Sequence, residues 1–373
     1  MKILLISRGI PSKKDPMWGN FELDHAKALK SNRHNVVVMS IDNRMRLSWR
    51  TIGVTHKKVD GINMYNFFFP LPYRFLPRKL HNFIVDFFIE KLFKHVLEQE
   101  ENFDVIHAHY LPNIRIASKI KQKYGIPVVG TEHWSELKRK PMKSKVFKDA
   151  SETYSNINQL ITVSSPLKKI IKTNFGVNSS FVGCVIDDVF GYVPLKEHNV
   201  FRFVAVGSLF KIKGFDILIN AFAKANFGSQ VELYIVGDGG LKFQLESLVK
   251  SLGIDKQVFL VGRKTRKEIM EIFSKSSVYL LSSQSENFAT ACMEALSSGI
   301  PAIMTKCGGP EDFVDESNSY LVEVGNVEEM AEAMHYMKNN IKKYNRKQIS
   351  NFFREKYSAK AIAKATEKIY SKI

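Results

Sequence analysis

Cysteine is scarce in this chain, and the scarcity is informative. Only Cys184, Cys292 and Cys307 occur among 373 residues, widely spaced and with no CxxC pair. That excludes a disulfide framework and a cysteine zinc site, and it fits a reducing, cytoplasmic setting. Long apolar runs are also missing. Nothing approaches the ~18 consecutive apolar residues of a bilayer-spanning helix, so the chain is expected not to cross a membrane. The opening MKILLISRGIPSKKD returns to charge after a few apolar residues, which reads as a first β-strand and not as a signal peptide. No low-complexity segment and no convincing internal repeat is present. No GxGxxG run follows a strand, so the fingerprint of a nicotinamide site is lacking. Acidic residues are outnumbered, 37 against 55 basic, giving a net charge of +18. The excess sits mainly before residue 196, where 30 basic face 17 acidic side chains, so an anionic partner is expected on that half. The charge alone does not indicate nucleic acid. Helix-turn-helix and zinc-finger patterns are absent, and no nucleic-acid partner is expected.

What is present is an alternation of short apolar runs with amphipathic stretches. KILLIS, NVVVMSI, FDVIHAH, IPVVGT and LITVSS read as buried parallel strands. FELDHAKALKSN is the first helix, with Phe21, Ala28 and Leu29 on one side and lysines on the other. After Phe190 the pattern restarts with FRFVAVGS, VELYIVGD, QVFLVG, SVYLLSS and PAIMT. Alternating strands and helices imply parallel sheets with right-handed crossovers. The fold class is therefore α/β, two doubly wound domains facing a cleft. Their expected bounds are 1–193 and 199–356, with a linker in GYVPLKEHNV, 191–200. For the basic C-terminal helix, about 357–373, two placements stay open: on the second domain, or crossing back to the first.

Several strand ends carry ligand-like chemistry, each beside a plainer reading. In VGSLFKIKGF, Gly207 ends a strand and Lys213-Gly214 precede a helix, where a lysine and free amides can meet a phosphate. The alternative is a solvated lysine beside a turn glycine. Gly237 and Gly239-Gly240 after one strand, and Gly308-Gly309 after another, permit close backbone approach or simply form turns. Gly19 stands near the first helix start, able to approach a diphosphate. His107 and His109 share one strand face, and Glu132 and His133 follow the next strand. A metal held by His107, His109 and His133 is the weaker interpretation, because no carboxylate–His spacing supports it; no metal and no cofactor is expected. MYNFFFPLPYRFLPRKLHNFIVDFFIEKLFKHVLE, 64–98, interleaves aromatics with basic residues including Arg74, Arg78 and Lys79. It reads equally as a core helix with a basic face or as a seat on an anionic membrane.

Taken in order, WGNF, TEHW, VGSLFKIKG, SENFATACMEALSSGIP and KCGGPEDFV resemble the retaining GT-B glycosyltransferases of family four over nearly the whole chain. The resemblance implies two Rossmann-like domains gripping a nucleotide diphosphate sugar without a metal. It also implies transfer to an acceptor hydroxyl with retention at the anomeric carbon. The family's E-x7-E pair is Glu286 and Glu294 here. Lys213 would neutralise the diphosphate, Glu294 would bind the ribose, and Glu286 would sit by the donor sugar. His133 would contact the sugar and the reaction centre, and Gly19 would bring amides to the phosphates. Gly237, Asn287, Phe288 and Ala289 complete the expected donor contacts. Ser208 stands where the family often has arginine, with Lys211 a candidate substitute. Trp18-Gly19 replaces the family's double glycine, and Ala289 replaces its usual glycine. Eight helical residues span about 80° beyond two turns and about 12 Å, so the two glutamates are expected at opposite ends of one long ligand. Glu286 should then lie before the helix and Glu294 about one turn inside it. The implied acceptor is a glycan or lipid-linked glycan, with the enzyme cytoplasmic or peripheral at the inner membrane face. The alternatives are a nucleotide-sugar epimerase of the same fold and a non-catalytic basic binding protein.

Overall fold

A computed structural model describes residues 1–11, 18–44, 52–70, 77–139, 141–196 and 199–373. The chain divides into two compact units, Met1–Val185 with Ala359–Ile373, and Ile186–Ser358.

Among the described residues of the first unit, eight strands run in chain order. They are β1 (Lys2–Ser7), β2 (Asn35–Asp42), β3 (Gly53–Val59), β4 (Ile62–Phe68), β5 (Val105–His109), β6 (Val128–Glu132), β7 (Gln159–Thr162) and β8 (Ser180–Phe181). They form one sheet in the order β3-β4-β2-β1-β5-β6-β7-β8. Its inner strands are buried almost without interruption, as β1 and β5 show, because crossover helices cover both faces of a parallel sheet. Those helices are α1 (Asn20–Ser31), α2 (Arg78–Glu100), α3 (Leu111–Tyr124), α4 (Ser144–Ser155) and α5 (Ser165–Phe175). Among the described residues only β3 is antiparallel, and it was not among the expected strands. Its signal was present in Asp60-Gly61, whose φ values of 51° and 73° make the two-residue turn that matches strand twist. The stretch 64–98 accordingly splits into the end of that hairpin and α2, and does not form one helix.

The second unit holds β9 (Phe201–Val206), β10 (Val231–Val236), β11 (Val258–Gly262), β12 (Val278–Leu281), β13 (Ala302–Thr305) and β14 (Ser319–Val322). All pair in parallel, in the order β11-β10-β9-β12-β13-β14. Around them lie α6 (Phe215–Ala225), α7 (Lys242–Ser251), α8 (Arg266–Phe273), α9 (Thr290–Ser297), α10 (Val327–Asn339) and α11 (Arg346–Tyr357). The segment expected as a linker is corrected here. Residues 191–196 belong to the second unit, where Val193 N–H donates to Ser298 O at 3.2 Å and Lys196 N–H to Ser274 O at 2.8 Å. Residues 197–198 lie outside the described residues. Backbone hydrogen bonds to 298 and 274 hold what composition alone marked as loose.

The last helix, α12 (Ala359–Tyr370), belongs to the first unit and packs on α1. Ile362, Ala363, Ile369 and Tyr370 are buried, each large apolar side chain worth about 1.5–3 kcal/mol relative to exposure. Glu367 Oε1 accepts from Asn32 Nδ2 at 2.6 Å and lies 2.7 Å from His34 Nε2, locking the register.

Both sheets reverse direction at one place. In the first the chain builds outward from β1 to one side and from β5 to the other; in the second, from β9 and β12. Ligands of doubly wound sheets bind outside the carboxyl ends of the strands at this reversal. The loops after β1, β5, β9 and β12 therefore stand where ligands of such sheets bind.

Candidate active site

In the second unit, the loops after β9 and β12 are stitched to each other. Gln284 N–H donates to Ile212 O at 2.8 Å, and Ser282 Oγ donates to Lys213 O at 2.8 Å. Gly214 follows with φ 63°, where any Cβ would strike Ser282's carbonyl, so this tight seam requires glycine. The stitching carries Lys213 onto Glu286, Nζ to Oε1 at 2.5 Å, with Ser283 Oγ donating to the same oxygen at 2.7 Å. Glu286 lies in the loop before α9, its N–H donating to Cys307 O at 3.1 Å, and Glu294 lies just past one turn inside that helix. Asn287 is half-buried beside them. Phe288 turns inward onto Phe313 and Tyr357, so its side chain is core, with ring centroids 6.2 and 5.4 Å away. Ala289 caps α9 in the left-handed region, φ 53° and ψ 54°. Glycine would sit there without strain, whereas alanine costs about 1–2 kcal/mol. Ser208 and Lys211 are exposed on the loop after β9.

The remaining glycines sit in tight contact with neighbouring loops. A Cβ on Gly237 would land on Gly207's carbonyl oxygen, and one on Gly309 would sit 2.8 Å from Asn287 O. Their close neighbours are other loops of the same site. The amides of Gly239 and Gly308 are taken by Asp238 Oδ1 and the Glu311 carboxylate, each at 2.9 Å. These glycines let the loops after β9 and β10, and those after β12 and β13, pack against one another beside Lys213 and Glu286.

In the first unit, the chain after β1 returns through Trp18, whose indole N–H donates to Arg8 O at 2.8 Å. Gly19 then starts α1 at φ 80°, close against the Gly9 carbonyl. Arg8 sits 3.7 Å over the Tyr110 ring and 2.9 Å from Glu22 Oε1, a carboxylate fully buried on α1. The reading of α1 gave Phe21, Ala28 and Leu29 as its inner side; Ala28 and Leu29 are buried and Phe21 half-buried, and Glu22, Asp24 and His25 are buried too. The partners of His25, His109 and Thr366, lie 84 and 341 residues away, so its burial is legible only in three dimensions.

His133 follows β6 directly, oriented by its neighbour. Glu132 Oε1 accepts the N–H groups of His133 and Trp134 at 2.9 and 2.8 Å, and Tyr154 OH donates to Oε2 at 2.7 Å. Burial raises the Glu132 carboxyl to about 7 despite those donors. Beside it His25, His107, His109 and His133 form a cluster. Burial lowers His25 to about 4 and holds His107 and His109 well below the ordinary imidazole range. His133 falls to about 3, through burial first and then the charges of Arg8 and His25. All four are neutral at physiological pH.

The cluster looks like a metal site by proximity, since nitrogens of His25, His107 and His109 lie within 4.8 Å of one another. The trio differs from the His107, His109 and His133 set suggested by sequence. Its nitrogens are already used. His107 meets Tyr370 OH and Thr131 Oγ1 at 2.6 Å each, and His25 meets His109 and Thr366 at 3.1 Å each. His109 spends its other nitrogen on His133 at 3.0 Å. Hydrogen bonding accounts for the cluster.

Two Rossmann-ordered parallel sheets with polar loops at each reversal define the GT-B class of glycosyltransferase. Comparison with known proteins carries this further. The family described as Glycosyl transferases group 1 matches residues 193–370, and Glycosyltransferase Family 4 matches residues 20–187. The chain belongs to the group 1 glycosyltransferases, of the family 4 kind, and is a glycosyltransferase enzyme. An uncharacterized glycosyltransferase of Methanocaldococcus jannaschii is 29% identical over 255 residues, 67% of this chain and 69% of that protein. The GPI3 subunit of phosphatidylinositol N-acetylglucosaminyltransferase from Saccharomyces cerevisiae is 23% identical over 91% of this chain and 76% of its own length. The solved structure of Anabaena HepE with UDP and glucose superposes over 100% of both chains, at TM-score 0.74 and 17% identity. At that identity the likeness speaks for the fold.

Proposed function

We propose that this glycosyltransferase is a retaining, metal-independent enzyme that moves a sugar from a nucleotide diphosphate donor to a hydroxyl of a glycan or lipid-linked glycan. The observation that carries the reading is Lys213 against Glu286, at the reversal point of the second sheet, ahead of the α9 N-terminus. A cation and helix amides there suit a diphosphate leaving group, which needs charge stabilisation above all. In this reading Lys213 and Lys211 meet the phosphates. Ser208, Gly237, Asn287, Phe288 and Ala289 contribute to the donor pocket, the last two through their backbone. Glu286 holds the sugar hydroxyls and Glu294 the ribose. Of the first unit's residues, Gly19 serves the phosphates and His133 the transferred sugar. A neutral His133 offers a hydrogen bond and no charge. HepE, whose structure holds UDP, and the yeast subunit, of a phosphatidylinositol N-acetylglucosaminyltransferase, support these donor and acceptor classes.

The test is incubation with UDP-, GDP- and ADP-sugars in the presence of a chelator. One donor is expected to raise the melting temperature by mass action. With acceptor present it should release the nucleotide diphosphate, with the product anomer matching the donor. Inversion, loss of activity on chelation, or epimerised donor without transfer would each overturn the corresponding part.

The same reading places the enzyme in the cytoplasm, peripheral at the inner face of the cell membrane. Among the described residues no helix is long and apolar enough to cross a bilayer. On α2, Leu80, Phe83 and Phe87 are 45, 69 and 58% exposed at helical spacing. Arg74 and the side chains of Arg78 and Lys79 lie outside the described residues. Phe83→Glu with Phe87→Glu is expected to lower binding to anionic phosphatidylglycerol vesicles at least tenfold. Unchanged sedimentation with vesicles would leave the membrane without this seat.

A further inference from the structure

We infer that Thr366 on the last helix, acting through His25 and His109, fixes which nitrogen of His133 carries the proton, so that His133 presents Nδ1 as a hydrogen-bond acceptor. The inference deepens the reading of His133 as the first unit's contact with the transferred sugar and rests on it.

The side chains form one string. Thr366 Oγ1 lies 3.1 Å from His25 Nε2, His25 Nδ1 lies 3.1 Å from His109 Nε2, and His109 Nδ1 lies 3.0 Å from His133 Nε2. At the far end, His133 Nδ1 lies 3.7 Å from Cys184 Sγ. A neutral imidazole has one N–H and one lone pair, so each ring passes the direction of one link to the next. One end of the string sets them all.

The Thr366 end is set by the backbone. Its hydroxyl is 2.9 Å from the Ile362 carbonyl, one turn back on the same helix. A carbonyl only accepts, so the single hydroxyl proton is spent there. His25 Nε2 must then donate to Thr366, leaving Nδ1 to accept from His109 Nε2–H. His109 Nδ1 in turn accepts from His133 Nε2–H, and the lone pair of His133 is left on Nδ1. The Cys184 end agrees independently. Burial holds that thiol protonated, and a thiol beside an imidazole lone pair donates. His25, His109, His133, Cys184 and Thr366 line one small pocket of the first unit, so the acceptor faces a space as well as a sulfur. A sulfhydryl is a weak donor and gives way to a hydroxyl. Nδ1 thus selects an O–H of the sugar as donor, and it cannot protonate the leaving group. Thr366, His25 and His109 are positioning residues.

The experiment is long-range 1H–15N correlation on protein labelled at histidine, with His133 assigned by His133→Asn. Wild type is expected to show His25, His109 and His133 all protonated at Nε2. Thr366→Val removes the acceptor of His25 Nε2–H while keeping the side-chain volume. It is expected to move proton density at His133 to Nδ1 and to lower kcat roughly tenfold, the worth of one buried hydrogen bond. Thr366→Ser restores both. A wild-type His133 protonated at Nδ1 overturns the inference even where Thr366→Val fails to fold, as does a Thr366→Val spectrum with the wild-type tautomer. A shifted tautomer in Thr366→Val together with undiminished transfer by His133→Ala would uphold the string and overturn the placement of His133 at the sugar.

Discussion

Lys213→Ala is expected to lower sugar transfer at least about a hundredfold while leaving the melting temperature near that of wild type. The two parts rest on different physics. In the unliganded protein Lys213 pairs with Glu286 at 2.5 Å, but its side chain is 30% exposed and that of Glu286 13%. A partly solvated pair contributes about 1 kcal/mol or less to folding, and Ser283 Oγ stays on the same carboxylate oxygen after the lysine is lost. Catalysis asks more of the residue. As the glycosidic bond breaks, charge collects on the leaving diphosphate. A preorganised donor aimed at developing charge is worth about 10²–10³ in rate. Gly214 and the two bonds from Ser282 and Gln284 hold the lysine's backbone in place, which is what preorganisation means here. Lys213→Arg is expected to recover part of the rate, because the charge returns on a planar fork of different reach. Initial rates and nucleotide diphosphate affinity, measured beside a thermal melt, decide it. Turnover within a few-fold of wild type in Lys213→Ala would remove the lysine from the reaction.

The alternating apolar runs were legible because parallel strands buried on both faces must be apolar throughout; NVVVMSI could hardly be anything else. The hairpin at Asp60-Gly61 was also written in the sequence, but its first strand reads GVTHKKV, too polar for a pattern of apolar runs to register. The strand-end glycines advertised unusual backbone without saying why. No sequence pattern states that Gly237 and Gly309 make room for neighbouring loops. The histidine cluster was half visible. Strand alternation put His107 and His109 on one face, and His133 stood beyond the next strand. His25 belongs to an amphipathic helix whose apolar side was read without it, and Thr366 lies 341 residues further on. No spacing rule spans that distance, because the contact exists only when the last helix returns to the first unit.

That buried cluster predicts how the first unit responds to acid, and the effect should be large. His25, His107 and His109 are buried, His133 is half-buried, and all four are held below the ordinary histidine range, His25 at about 4 and His133 at about 3. In the unfolded chain each protonates near pH 6.5. Below that pH the unfolded state binds protons the native state refuses, so stability falls as pH falls. Glu132 works the other way. Its native value of about 7 lies above the unfolded carboxyl at 4.5, so between those values the native state holds the extra proton and gains stability on acidification. Four histidines against one glutamate leave a net uptake of about three protons on unfolding, or about 4 kcal/mol per pH unit at the steepest. A domain of ordinary stability, about 5–15 kcal/mol, exhausts that within a few pH units. The first unit is expected to unfold with a midpoint between about pH 4 and pH 5.5. Tryptophan fluorescence reads this unit alone, because Trp18, Trp49 and Trp134 all precede residue 186. Urea unfolding followed by that signal should show a stability loss steepening below pH 6.5, and Glu132→Gln should steepen it further by removing the opposing proton. A flat profile from pH 7 to pH 4.5 would mean that the histidines are charged or wet in the native state, and the hydrogen-bonded string they form would fall with it.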